Sequence, residues 1–317
     1  MQFAEHINEI VEQALDGLEI PVHPTGLYDP VVYTMQMGGK RMRPRLVVLA
    51  CGLCGGDPRK ATAPAMAVEM LHNFTLLHDD IMDNADTRRG NDTVHKKWDE
   101  ATAILSGDVL FVLALKQLNA HAEMMPVFLD AIQQVCDGQA LDMQFQKETS
   151  VSIADYIAMI SAKTAALLRC SMQLGAMTAG ADSERVDLCG QIGHHAGLAF
   201  QIQDDLLDAV GDKQTFGKKV GGDIREGKKT WLSIRALEQA DDTDRWVLDQ
   251  VMGDRKAPES EILRIIRLYH DLGVVDEAIR EIERHYNQAL ALLERFEKSE
   301  SHDEINRMLG KLKVRDN

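Results

Sequence analysis

Across nearly all of its 317 residues the chain places apolar side chains at helical spacing, and it has no sustained run in which apolar and polar residues alternate. A period near 3.6 gives each segment one apolar stripe to bury, whereas a half-buried strand needs a period of two. The pattern predicts an all-α fold. Segment 151–180 shows how such helices are bounded: Ser152 with Asp155 can form a capping box, the apolar run YIAMISAKTAALL follows, and Gly180 supplies a stop. Segment 183–210 starts at a capping-type serine, ends at Gly211 and is small or apolar around most of its circumference, which predicts a central, buried helix. Residues 258–317 read as further amphipathic helices, broken near Gly273. No linker composition divides the chain, so 1–317 is read as one domain.

A formal charge of −15 argues against general affinity for nucleic acid, which is bound through accumulated Lys and Arg. Hydrophobic residues at 45% and charged residues at 27% exclude a disordered or a membrane-embedded class. The opening MQFAEHINEIVEQALDGL lacks the basic start and apolar core of a secretory signal, and AILSGDVLFVLALKQL is broken by Asp108 and too short to span a bilayer. A cytoplasmic protein with no transmembrane segment is expected. Five cysteines, at 51, 54, 136, 170 and 189, give no even framework. The Cys51/Cys54 pair lacks two further ligands at zinc spacing, so buried thiols are expected.

The stretch LLHDDIMDNADTRRGND crowds Asp79, Asp80, Asp83 and Asp86 together at the end of an apolar segment. Carboxylates this close raise each other's pKa unless a cation sits between them. On a helix Asp79 and Asp83 share a face, about 6 Å apart along the axis. Asp204, Asp205 and Asp208 in FQIQDDLLD repeat the spacing. Two such sets of oxygen ligands suit a hard ion, Mg²⁺ or Mn²⁺, better than zinc. One cluster alone reads equally as a solvated helix end. Two, each followed by a glycine-containing basic loop (TRRG, then GKKVGGDIREGKK), do not. Lys40, Arg41, Arg43, Arg45, Arg88, Arg89, Lys218, Lys219, Lys228 and Lys229 fall in three short stretches, the first of them GGKRMRPRL. Metal-binding carboxylates beside gathered cations point to substrates that carry diphosphate groups.

The ordered motifs GGKRMRPRL, LLHDDIMDNADTRRG, GQALDMQ, AKT, FQIQDDLLD and GKKVGGDIREGKKT, spread over residues 35–232, resemble those of the trans-isoprenyl diphosphate synthases. The resemblance implies a single bundle of long helices around a deep central cavity, usually as a homodimer. It implies Mg²⁺-dependent condensation of isopentenyl diphosphate with an allylic diphosphate. Asp79, Asp83 and Asp204 would lead in holding metal, supported by Asp80, Asp205 and Asp208, with Arg88, Lys163, Lys218 and Lys228 on the allylic diphosphate. Thr164 and Gln201 would stabilise the allylic cation, and Gly39, Lys40, Arg43, His72 and Arg89 would hold isopentenyl diphosphate.

Phe74 and Thr75, one turn before Asp79, would set chain length; in the family an aromatic residue at the position of Phe74 tends to restrict the product, here to C15–C20 with C20 slightly preferred. Where the family often has Leu-Pro after GKKT, this chain has WLS, and the basic ending KLKVRDN is a candidate cover for the isopentenyl site. Three rivals stay open. A class I terpene cyclase usually keeps only one aspartate-rich motif, and a longer-chain synthase would differ at the cavity floor. A helical di-iron protein would use the ExxH match of Glu69 and His72, but no second copy is present.

Overall fold

The computed structural model describes residues 2–211 and 221–313, with side chains through Gly310. Its residues group into two compact units, the first formed by 1–129, 170–190 and 296–305, the second by 130–169, 191–295 and 306–317.

The first unit is built around α4 (Thr62–Met82), preceded by α1 (Gln2–Asp16), α2 (Thr25–Gln36) and α3 (Met42–Leu53) and followed by the short α5 (Val94–Lys97) and by α6 (Glu100–Gln117). Ala65, Met66, Ala67, Val68, Met70 and Leu71 are all buried, so the first half of α4 is apolar on every side and packs against α3 and α6 at once. Burying each larger side chain contributes about 1.5–3 kcal/mol. The polar end of α4, from Asp79 onward, emerges from that core. Asp99 caps α6 by accepting the Thr102 N–H at 2.7 Å.

Between α4 and α5 the sequence suggests only a loop, but a two-stranded hairpin forms, β1 (Thr87–Arg88) against β2 (Asn91–Asp92). Its two central residues, Arg89 and Gly90, both have positive φ (54° and 79°), as a twisted two-residue turn requires. The turn therefore fixes the directions of Arg88 and Arg89.

The second unit draws on most of α7 (Met125–Phe145), then α8 (Ile153–Ile160), the start of α9 (Ala166–Thr178) and the later part of α10 (Ser183–Val210). It continues through α11 (Gly222–Glu226), α12 (Trp231–Gln239), α13 (Asp242–Val251), α14 (Glu259–Asp271) and α15 (Val274–Leu293); α16 (Glu300–Lys313) closes the described chain. The Ser152–Asp155 capping box is present, and Gly180 and Gly273 end helices at φ 71°. The core gathers Tyr156, Ile202, Leu232, Leu248, Ile265 and Tyr269. One departure matters: the run from 151 to 180 is not one regular helix, because Ser161–Ala165 forms a π-helical turn. Such turns concentrate at functional sites, where the extra residue re-aims neighbouring side chains. Among the described residues no helix is long and apolar enough to cross a membrane.

His195 and His285 meet in this unit with their Nδ1 atoms 3.1 Å apart, while Arg284 approaches His285 Nε2 at 3.0 Å. Arginine only donates, so His285 accepts at Nε2 and donates from Nδ1 to His195. Burial, then the Arg284 charge, lowers His285 to about 4 against the opposing pull of Glu281. Burial, then His195 and Arg169, lowers His194 likewise to about 4. The unfolded chain protonates freely where the folded one resists. Each of these histidines therefore removes stability as pH falls below about 6.5, with its full share gone once pH passes the folded value. A histidine-resolved NMR titration should find both rings neutral at about pH 5; midpoints near the ordinary histidine value would contradict this packing.

Candidate active site

Four arginines converge on one histidine at the polar end of the first unit. Arg41 caps α3 in the left-handed conformation (φ 45°) and sends its guanidinium to buried Glu69, 2.5 Å away, and to the Met35 carbonyl. Arg43 donates to His72 Nε2 at 3.1 Å, which places the ring proton on Nδ1. Burial first, then the charges of Arg43, Arg89, Arg88 and Arg41, hold His72 well below the usual histidine value, so it is neutral at pH 7. Arg43 itself is lowered to about 10 by burial, and its Nε is buried without a hydrogen-bond partner. Arg89 donates to the Gly38 carbonyl, and its guanidinium lies against Gly39. At Gly39 the backbone takes φ 133°, a conformation that residues with a side chain rarely adopt, so glycine is strongly favoured there. Two non-glycine residues in left-handed backbone, Arg41 and Arg89, thus serve one cluster, and such strain is characteristic of functional positions. Lys40 stands exposed beside it.

Glu69 and His72 do not act as a metal-binding ExxH pair. Glu69 accepts from Arg41 and from Asn73 Nδ2, and His72 accepts from Arg43.

In the first aspartate cluster the three carboxylates have different surroundings. Asp80 is buried and takes the Arg88 guanidinium on both oxygens, through Nε at 2.8 and 2.9 Å and Nη2 at 2.6 Å. Asp79 is half-buried and Asp83 exposed. One turn earlier Thr75 Oγ1 bonds back to the His72 carbonyl, and the Phe74 ring lies 4.7 Å from His78 and 5.5 Å from Phe111 of α6.

The second unit holds a cavity of about 100 Å³ whose lining includes Asp142, Lys163, Gln201, Asp204, Asp205 and Lys228. The π-helical turn presents Lys163 and Thr164 together. Lys163 Nζ donates to Asp142, and Thr164 Oγ1 donates to Gln201 Oε1 at 2.7 Å. Gln201 Nε2 in turn donates to Asp205 Oδ1 at 2.7 Å, and Tyr156 donates its hydroxyl to the other oxygen at 2.8 Å. Burial, then Asp223, raises Asp205 well above the carboxylate range despite those bonds. Asp204 beside it is exposed. Asp208 is taken up by the backbone: its Oδ2 accepts the Asp223 N–H at 2.8 Å, anchoring the start of α11. Lys228 pairs with Asp223 (3.2 Å) and Glu226 (3.1 Å), and Asp223 is raised to about 6 by burial against that pull.

Lys218 and Lys219 lie outside the described residues, as does most of the basic C-terminal tail. Sequence reading missed Asp142, Tyr156 and Asp223. Asp142 was within reach, since it stands in the quoted GQALDMQ, but its partner Lys163 is 21 positions away.

Gly138 of the same motif backs the π-helical turn: a Cβ there would lie 2.2 Å from the Lys163 nitrogen and 2.6 Å from its Cα. Because the clash is with backbone, Gly138→Ala should destabilise the protein by about 1–3 kcal/mol and break the Lys163–Asp142 pair. Urea denaturation measures this, and a variant as stable as the parent would show the turn to be freely displaceable.

Residues 24–269 match the family model described as polyprenyl synthetase. The short chain isoprenyl diphosphate synthase of Methanothermobacter thermautotrophicus is 36% identical over 96% of this chain and 94% of its own. The geranylgeranyl diphosphate synthase of Saccharolobus solfataricus is 40% identical over 77% of this chain and 80% of its own. A geranylfarnesyl diphosphate synthase of Aeropyrum pernix is 35% identical over 91% and 94%. Among solved structures, geranylgeranyl pyrophosphate synthetase from Pyrococcus horikoshii superposes with a TM-score of 0.90 at 34% identity, covering 99% of this chain and 97% of that one. A polyprenyl synthase from Caulobacter crescentus, complexed with calcium and isoprenyl diphosphate, gives 0.87 at 28% identity, covering 99% and 95%.

Proposed function

Because the chain belongs to the polyprenyl synthetase family and is a prenyltransferase of the all-α isoprenoid synthase fold, we propose that it joins isopentenyl diphosphate head to tail to an allylic diphosphate. The product would have E geometry and a length of C15–C20, with C20 preferred, and relatives named for geranylgeranyl diphosphate support that preference. The family match takes in segments of both compact units, which supports reading the chain as one synthase domain. The observation that carries the reading is the set of four guanidinium groups around neutral His72, on the same helix that ends in Asp79 and Asp83.

The chemistry depends on a divalent metal, and Mg²⁺ is the ion we assign, with Mn²⁺ as a substitute. The donors are all carboxylate oxygens, as a hard cation prefers. Among the described residues no three His, Cys, Asp or Glu side chains form a ready-made cage. That fits an ion which keeps water and takes few protein ligands beside phosphate oxygens. Asp79, Asp83 and Asp204, half-buried or exposed, would be the direct ligands; Asp80, Asp205 and Asp208 would support them, held as they are by Arg88, by Tyr156 with Gln201, and by the α11 backbone. When bound, the ion draws charge off the diphosphate and makes it a better leaving group.

Arg88, Lys163, Lys218 and Lys228 bind the allylic diphosphate and neutralise the charge that develops on it as the C–O bond breaks. Thr164 and Gln201, locked to each other at 2.7 Å, hold fixed dipoles near the cation. Gly39, Lys40, Arg43, His72 and Arg89 bind isopentenyl diphosphate through ion pairs and hydrogen bonds, and the buried, unpartnered Nε of Arg43 supports an anionic ligand there. The double bond of isopentenyl diphosphate attacks the allylic cation, which forms the new C–C bond and moves the positive charge to the isopentenyl tertiary carbon; a proton on the carbon next to it then leaves to the departing pyrophosphate, and its electron pair forms the new double bond. A homodimer, supported by the exposed apolar side chains of Ile104, Leu105 and Val112 on α6, and a cytoplasmic location complete the reading.

Purified protein with Mg²⁺, labelled isopentenyl diphosphate and C5, C10 or C15 primers should yield diphosphates of C20 or shorter, and a chelator should abolish turnover. Hydrocarbon or terpene alcohol released from a single prenyl diphosphate would instead identify a cyclase.

A further inference from the structure

The Cys51/Cys54 spacing suggests a pair, yet the two thiols turn to different partners. Cys51 is buried and donates to the Asp57 carbonyl at 3.4 Å, and burial raises it to about 11. Cys54 meets Cys189 of α10 instead, 135 residues away in sequence, with the sulfurs 3.7 Å apart. The two thiols differ in access. Cys189 is fully buried, whereas Cys54 is partly exposed at the C-cap of α3, ahead of Gly55 and Gly56.

From this geometry we infer that Cys54 and Cys189 form an oxidation site, in which a hydroperoxide converts the thiol pair into a disulfide joining α3 to α10. The first step falls to Cys54. The hydrogen bond from Cys189 favours its thiolate, as does the nearby Arg185 charge, while burial and Asp182 oppose it less strongly. The thiolate attacks the peroxide, the O–O bond breaks, the leaving oxygen takes a proton, and Cys54 becomes a sulfenic acid. The Cys189 sulfur then attacks the Cys54 sulfur. The S–S bond forms, the S–O bond breaks, and hydroxide leaves with the Cys189 proton as water. Two thiols lose two electrons and one hydroperoxide gains them. Bond formation requires the sulfurs to close from 3.7 Å to about 2.05 Å. Cys54 lies at the end of α3 and is followed by two glycines, so a side-chain rotation with slight fraying of the last turn supplies that movement. Cys51 is tied to the Asp57 carbonyl, so it does not compete for Cys54.

The test treats the intact purified protein with hydrogen peroxide in modest excess and counts thiols after denaturation. Two of the five free thiols should be lost. Peptide mapping without reductant should recover a Cys54–Cys189 peptide, dithiothreitol should restore both thiols, and the oxidised protein should melt higher than the reduced one. Cys189→Ser should leave Cys54 as a sulfenic acid that dimedone traps. The inference is overturned by a Cys51–Cys54 peptide, by cross-linking between chains through Cys136, by oxidation of Cys54 to sulfinic acid in the parent protein, or by five surviving thiols. Because the readout is covalent, none of these outcomes depends on the prenyltransferase reading.

Discussion

Asp79→Ala is expected to lower kcat by at least about 10³-fold while changing the KM for isopentenyl diphosphate by less than about threefold. The asymmetry follows from where the charges stand. Asp79 lies in the last turn of α4 with Asp80 and Asp83, where three carboxylates meet the negative end of the helix dipole. Asp79→Ala removes one of these carboxylates while leaving the buried Asp80–Arg88 pair in place. Asp80→Ala should behave differently, since it strips the Arg88 fork of its partner and leaves a guanidinium near the Asp80 site unpaired. A loss of about 2–4 kcal/mol in stability is expected there, together with lost activity. Steady-state kinetics and urea denaturation of the two variants separate the roles. Activity of Asp79→Ala within tenfold of the parent would remove Asp79 from the metal site.

How far the sequence foretold this site depended on whether the relevant contacts were local. Caps and stops are local chemistry, which is why Ser152, Gly180, the 183–210 helix and the break at Gly273 appear where the residues suggest. The aspartate spacing is local too. The π-helical turn at Ser161–Ala165 was not legible, because YIAMISAKTAALL is apolar or small almost all round, so the phase slip from one extra residue leaves no mark on it. Nor could spacing reveal that Asp208 anchors α11, or that Cys54 turns from Cys51 to Cys189, since each of those contacts is made by the folded chain. The hairpin at Thr87–Asp92 was hidden for another reason. It is short, and its turn places an arginine where glycine or asparagine is usual. The Arg89 side chain, engaged by Gly38, helps hold that conformation.

Phe74→Ala should move the main product beyond C20, with C25 and longer diphosphates appearing on chromatography while the rate of isopentenyl incorporation stays within about fivefold of the parent. Phe74 lies five residues before Asp79, so its ring sits about 140° around the helix from that carboxylate and would border the growing chain from the side. The ring is held in place by Phe111 at 5.5 Å and His78 at 4.7 Å. His78 is fixed in turn by the Ile104 carbonyl of α6, so the proposed floor is a packed pair of helices, and one side chain is only part of it. Phe111→Ala should therefore lengthen products as well, by releasing the Phe74 ring, and the double variant should exceed neither single change by much, because both act on one contact. Half-buried Phe74 limits the stability cost of its removal to about 1–3 kcal/mol. A variant that folds, turns over and still stops at the parent length would place the floor elsewhere on the wall. Thr75, nearly in phase with Asp79 and bonded back to the His72 carbonyl, would be the next residue to enlarge or shrink.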